Sequence, residues 1–183
     1  MTIQQFAFMF FGGCCLLGIL GKILDFRDWL KRRRGTMASF YLKSWDVFSW
    51  DVSKKGLYVL RNDCAFCLDT DFGKRYTIHC KRGLVWDGAS VPKPFRWYLP
   101  NIDEKNLVYT SAGLLHDCCY GAELLPKPLS DDLFRGVLRD AGILRRKASF
   151  AHLCVKFGAK SHYGKEHDRF GIRFFCSIEE TPA

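Results

Sequence analysis

The sequence lacks three features that would indicate a particular class of protein. No basic side chain precedes the apolar run near the N-terminus, where residues 1–5 read MTIQQ, so a cleaved secretory signal peptide is not expected. No second C-x-x-C pair accompanies Cys64 and Cys67, so a structural zinc site is not expected at that pair. No base-reading motif accompanies the basic residues, so nucleic acid is not an expected partner.

Acidic side chains are also scarce. The chain carries 19 acidic and 28 basic residues, which gives a formal net charge of +9. This excess predicts attraction to a polyanion, and the headgroups of an anionic membrane are the simpler choice when no nucleic-acid motif is present. Its content of 48% hydrophobic and 15% aromatic residues is typical of a folded protein, and a length of 183 residues favours one domain.

The nine cysteines do not form a regular framework. They include two adjacent pairs, Cys14-Cys15 and Cys118-Cys119, and adjacent side chains on a helix point about 100° apart. This pattern favours buried free thiols in a reducing compartment over a set of disulfides.

An apolar segment stands near the N-terminus. Residues 6–24 read FAFMFFGGCCLLGILGKIL, with Lys22 as the one charged residue, and this length is typical of a transmembrane helix. The basic cluster at residues 31–34 follows it, so the positive-inside rule predicts a single-pass membrane protein with its C-terminal part in the cytoplasm. The alternative for residues 6–24 is a helix that docks into a protein partner.

The rest of the chain changes from strand patterns to helix patterns. Short β-type runs separated by turn residues lie between Ser39 and Val85 and predict a small antiparallel sheet. Helices are predicted over Thr110–Tyr120, Ser130–Ala141 and Arg145–Lys160. The expected fold class is therefore α+β, with an N-terminal transmembrane helix, a small antiparallel β-sheet and a C-terminal three-helix cluster. We expect residues 1–35 to form the anchor and residues 36–183 to form a single domain.

The stretch LLHDCCYG holds the candidate catalytic residues. On a helix, His116 and Tyr120 lie one turn apart and share a face, while Asp117 points about a third of a turn away. His116 can act as a general base if a carboxylate on the next helix, Asp131 or Asp132, holds its other ring nitrogen. The alternative is a structural role, in which His116 packs in the core and Asp117 lies in solvent.

Asp117 would then be free to bind a cation. A hard cation such as Ca²⁺ needs several oxygen ligands, and the turn that begins with Asp87 and Gly88 can supply carbonyl groups. The predicted metal ligands are therefore Asp117, Asp87 and Gly88, with Ca²⁺ as the expected ion.

Several of these residues also fall in motifs of a known kind. The pattern resembles a phage-encoded family of uncharacterised function over about Tyr76 to Gly164, and the resemblance is carried by DGASVP at 87–92, LLHD at 114–117 with Tyr120, and then Asp131 and Phe134.

The combination of His-Asp-x-x-Tyr with Asp-x-x-Phe is similar to the catalytic helix pair of phospholipase A2, particularly its compact form in parvovirus capsid proteins. The resemblance implies that His116 is the base, Asp117 a calcium ligand and Asp131 the carboxylate that orients His116, with Tyr120 as a supporting hydroxyl. The glycine-rich calcium loop of phospholipase A2 enzymes has no counterpart here, since Asp-Gly-Ala-Ser stands before the histidine helix instead.

These observations lead to two functional hypotheses. The first is a membrane-anchored, phage-encoded lipid hydrolase that resembles phospholipase A2, depends on a metal ion and acts on an anionic bilayer. The second is a non-enzymatic virion or assembly protein, which contacts other phage proteins and uses the His/Asp cluster only to join a helix to a loop.

Overall fold

The computed structural model describes residues 38–53, 56–88, 98–100, 102–158, 163 and 171–183. The predicted transmembrane segment and the basic cluster after it lie outside the described residues, as do Ala89 and Ser90 of the predicted Asp-Gly turn. Among the helices of the described ranges, none combines the length and the apolar character needed to cross a membrane.

Within those ranges the chain forms an α+β structure. The elements in chain order are β1 (Phe40–Trp45), β2 (Trp50–Val52), β3 (Tyr58–Leu60), β4 (Cys64–Thr70), β5 (Lys74–Cys80), β6 (Val85–Trp86), α1 (Leu107–Gly121), α2 (Lys127–Asp140), α3 (Arg145–Gly158), a short 3-10 helix (Ile172–Phe174) and β7 (Cys176–Pro182). The predicted small antiparallel sheet followed by three helices is confirmed.

The strands form two antiparallel sheets. The larger has the order β1-β4-β5-β7 and the smaller the order β2-β3-β6. Side chains of β4 alternate strictly between buried and half-buried positions, as expected of a strand with one face on the core. Phe66 and Leu68 of β4 are fully buried on that face, and so is Ile78 of the neighbouring strand β5. The strand β7 lies outside the range predicted to form strands, and it joins the end of the chain to β5 in the middle of the sequence.

The helix α1 lies inside the molecule. Its residues from Tyr109 to Tyr120 are buried except Asp117, which is half-buried. The side chain of Asn106 caps the helix by accepting a hydrogen bond of 3.0 Å from the backbone N–H of Tyr109. The helix therefore begins at Leu107, one turn earlier than the predicted Thr110.

The helix α2 also begins earlier than predicted. It begins at Lys127, and Ser130, where the predicted helix begins, is fully buried within the first turn. The Ser130 hydroxyl donates to the carbonyl of Leu125 at 3.1 Å. A proline in the first helical turn loses no hydrogen bond, because the first N–H groups of a helix have no partner within it. Pro126 and Pro128 thus start the helix where their sequence suggests a loop.

The close approach of α2 to β1 can be tested at Gly136. A Cβ atom at Gly136 would lie 2.5 Å from the backbone oxygen of Phe40. For a Cβ atom at Gly121 the nearest atoms belong to the Ile172 side chain, with Cδ1 at 2.7 Å and Cβ at 3.0 Å. We expect Gly136→Ala to lower the free energy of unfolding by about 1–3 kcal/mol and Gly121→Ala to lower it less. Urea denaturation of both variants measures the difference. A Gly136→Ala variant as stable as the wild type would show that α2 can move away from β1 easily.

Candidate functional site

The first feature of the site is a contact between α1 and α2. Nε2 of His116 lies 3.6 Å from Oδ1 of Asp131, and the two side chains are 3% and 5% exposed. This distance is too long for an ordinary hydrogen bond, and Nε2 has no hydrogen-bond partner among the described residues. The predicted partner of His116 is therefore in place, but the contact is electrostatic in this structure. Asp132, the other predicted candidate, instead lies 3.4 Å from Nε2 of His152.

The second ring nitrogen of His116 also faces a carboxylate. Nδ1 lies 3.9 Å from Oδ1 of Asp117, so the imidazole lies between two acidic side chains. The ring packs against Tyr120 and Phe134, with centroid separations of 4.1 Å and 5.0 Å. Burial opposes the protonated form of His116, but the carboxylates of Asp117 and Asp131 outweigh it and raise the pKa of the imidazole.

Asp131 is surrounded by donors. The Tyr120 hydroxyl donates to its Oδ1, and Nζ of Lys127 donates to its Oδ2 at 2.8 Å. Burial alone would raise the pKa of Asp131, but His116, Lys127 and Tyr120 together lower it. Burial and the bond to Asp131 raise the pKa of Tyr120. Asp131 is therefore held as an anion, and Tyr120 as a neutral donor.

Lys127 contacts Asp131 but is not among the residues predicted for the site. It lies four residues before Asp131 on the same helix, which is the spacing of a helical ion pair. The four-residue spacing can be read from the sequence, but it indicates an ion pair only if α2 begins before Ser130. Because α2 is predicted to begin at Ser130, the ion pair of Lys127 with Asp131 is not predicted.

Asp117 points toward the turn after β6, as predicted. The backbone N–H of Asp87 donates to Oδ2 of Asp117 at 3.3 Å, and the Asp117 side chain is 16% exposed. Gly88 has a φ of 94°, a conformation that suits glycine. The contact from Asp87 is an N–H group, whereas a cation ligand would have to be a carbonyl or carboxylate oxygen. The structure thus brings Asp87, with Gly88 next to it in the chain, to Asp117, and the contact that it shows among the described residues of the turn is this N–H group.

The electrostatics of Asp117 differ from those of Asp131. Burial raises the pKa of Asp117 to about 6, and the nearby charge of Asp87 adds to the increase while His116 opposes it. Two carboxylates that lie close together in a partly buried place are stabilised by a cation. Oxygen ligands of this kind suit Ca²⁺ or Mg²⁺ rather than a soft metal ion. Binding of Ca²⁺ at Asp117 therefore stays a prediction.

A cavity of about 120 Å³ lies elsewhere, between β1 and α2. Its lining includes Ser39, Asp132, Gly136 and Asp140. Neither His116 nor Asp117 borders it, so this cavity does not extend the candidate site.

Together, these contacts define an α+β protein with a buried histidine between two carboxylates. Residues 59–155, more than half of the chain, match the family described as "Protein of unknown function (DUF1353)", and the chain belongs to that family. The match includes His116, Asp117 and Asp131, and it confirms the expected membership of an uncharacterised family. No curated protein and no solved structure matches the chain.

The charge on Asp131 is expected to stabilise the fold. Asp131→Asn leaves Lys127 without its buried partner, so we expect the free energy of unfolding at pH 7 to fall by about 3 kcal/mol. Because folding lowers the pKa of Asp131, its contribution is present above its unfolded pKa and is lost as the pH falls through the folded value. The difference between the wild type and the variant should therefore shrink below about pH 4.

Denaturant titrations at pH 7 and at acidic pH measure this difference. Asp51→Asn is the matched control, because Asp51 pairs with Arg61 on the surface and its side chain is 56% exposed. The control should lose much less stability at pH 7. An equal loss in the two variants would contradict a special role for the buried carboxylate.

Proposed function

We propose that this protein is a membrane-anchored, phage-encoded lipid hydrolase of the phospholipase A2 type. The observation that carries the proposal is the placement of His116 between two carboxylates whose pKa values are shifted in opposite directions. Asp131 lies at Nε2 of His116 and is held as an anion, while Asp117 lies at Nδ1 and has a raised pKa. One nitrogen thus has an orienting partner, and the other faces the half-buried side of the site.

The residues of the site suggest a hydrolytic mechanism. Nδ1 of His116 accepts a proton from a water molecule as the water oxygen attacks the carbonyl carbon of an ester. The imidazolium that forms is stabilised by Asp131, which Tyr120 and Lys127 hold in place. When the tetrahedral intermediate collapses, the C–O ester bond breaks and His116 returns its proton to the departing alkoxide. Ca²⁺ held by Asp117 would supply neutralisation of the oxyanion.

A lipid substrate is proposed from the rest of the chain. The apolar segment at residues 6–24 and the basic cluster at residues 31–34 would hold the domain at an anionic bilayer. An enzyme tethered in this way meets its lipid substrate at a high effective concentration. The net charge of +9 favours the same surface.

Hydrolysis of mixed anionic phospholipid vesicles by the full chain tests the activity. We expect release of fatty acid in the presence of Ca²⁺ and none in the presence of a chelator. His116→Gln should lower the rate at least about 100-fold, because it removes the general base. His79→Gln is the matched control, since His79 lies on β5 with its side chain 41% exposed and contacts Glu179. The control should keep the wild-type rate.

The outcome of this assay also separates the two functional hypotheses. The alternative is a non-enzymatic virion or assembly protein in which the cluster is structural. It is favoured by the low exposure of His116, 2%, and by the packing of its ring against Tyr120 and Phe134. A properly folded wild type that releases no fatty acid with any divalent cation would exclude the hydrolase and favour this alternative.

The anchor has a separate test. The full chain is expected to sediment with membranes and to stay there after washing at high salt and alkaline pH, since a transmembrane helix does not depend on electrostatic attraction. A chain that lacks residues 1–35 should remain in the supernatant. Release of the full chain by salt alone would show that the basic residues, rather than a membrane-spanning helix, attach it.

A further inference from the structure

Four buried cysteines meet beneath α1. Cys64, Cys80 and Cys176 form a row across β4, β5 and β7, because Cys64 pairs with Cys80 and Cys80 pairs with Cys176 in the strand register. Cys118 reaches this row from α1, with its Sγ 3.6 Å from that of Cys80 and 2.9 Å from that of Cys176. The cysteines that the structure describes are all free.

The separations of the sulfur atoms are close to those of a metal site. The Sγ atoms of Cys80, Cys118 and Cys176 all lie within 4.8 Å of one another. Zinc binds thiolates at about 2.3 Å in a tetrahedron, which places the sulfur atoms about 3.8 Å apart. The separation of 3.6 Å fits this edge, and the separation of 2.9 Å would have to lengthen by somewhat less than 1 Å. Small changes of side-chain torsion would thus form the site.

The chemistry of the cluster selects the kind of ion. Its donors are all sulfur, and soft thiolates favour zinc over Ca²⁺ or Mg²⁺. The cluster is closed to solvent, with Cys80, Cys118 and Cys176 only 1%, 0% and 9% exposed, as is typical of structural rather than catalytic zinc. Cys64, the cross-strand neighbour of Cys80, is 4% exposed. Directly opposite residues have Cβ atoms about 5 Å apart. The Cys64 sulfur is not one of the three that lie within 4.8 Å of one another, so Cys64 would supply the fourth thiolate only after a change of its side-chain torsion.

We propose that Cys80, Cys118 and Cys176, with Cys64 as the fourth ligand, bind one structural zinc ion. This set differs from the local pair of Cys64 and Cys67, whose side chains lie on opposite faces of β4. The ion joins α1 to β5 and to β7 at the end of the chain. Since Cys118 directly follows Asp117, the ion also fixes the part of α1 that carries the candidate site.

Metal analysis of the purified full chain tests the proposal. The protein is expressed with added zinc, purified anaerobically without chelator, and assayed for zinc by mass spectrometry. We expect about one zinc ion per chain, a stoichiometry that a closed site of four thiolates predicts. Cys118→Ser and Cys176→Ser should lose the ion, whereas Cys67→Ser, the matched control on the other face of β4, should keep it.

Two further measurements protect the test against misfolded variants. Circular dichroism shows whether each variant retains its helices, and Co²⁺ in place of zinc reports thiolate ligation in the wild type through its charge-transfer absorption. A wild type that is folded but contains no zinc and gives no thiolate–Co²⁺ band would overturn the proposal. So would a Cys118–Cys176 disulfide in a peptide map of the anaerobic protein, or zinc that remains in both folded serine variants.

Discussion

The buried carboxylate of Asp131 is the constraint on which the packing of α1 and α2 depends. An anion removed from water costs several kcal/mol unless donors replace the lost hydration. Lys127 supplies one donor from the same helix, and Tyr120 supplies another from α1, where His116 is also in contact. Because two of the three partners belong to α1, any shift between the helices would expose or isolate the charge.

Asp117 is in the opposite electrostatic state, although it follows His116 directly. Asp131 has a lowered pKa and Asp117 a raised one, so a single histidine separates a fixed anion from a carboxylate whose charge is poorly compensated. Pairs of titratable groups whose pKa values are shifted in opposite directions are characteristic of catalytic and ion-binding sites. This asymmetry is the main physical argument for chemistry at the site.

The sequence predicts those parts of the structure that depend on short-range periodicity. The shared face of His116 and Tyr120 follows from their spacing on a helix, and a short connection brings Asp131 close to them. The strand β7 is not predictable in this way, because it is an edge strand with mostly exposed positions and no apolar alternation. The contacts among the buried cysteines are also not predictable from short-range patterns, since Cys118 is 38 and 58 residues away from the cysteines that it contacts.

Helical geometry explains how the C-terminal part of α1 contributes both to the His116–Asp131 contact and to the group of buried cysteines. His116 and Tyr120 face α2, and Cys118, two residues after His116, points about 200° away toward the sheet. The helix is thus held on two opposite sides by polar or sulfur contacts as well as by apolar packing. Asp117 lies between these two directions and is the half-buried residue of the segment. The contacts of its neighbours therefore set the position of Asp117 at the Asp87 turn. A cation or substrate site needs side chains that are held in place, and the rigid helix α1 meets this requirement for Asp117.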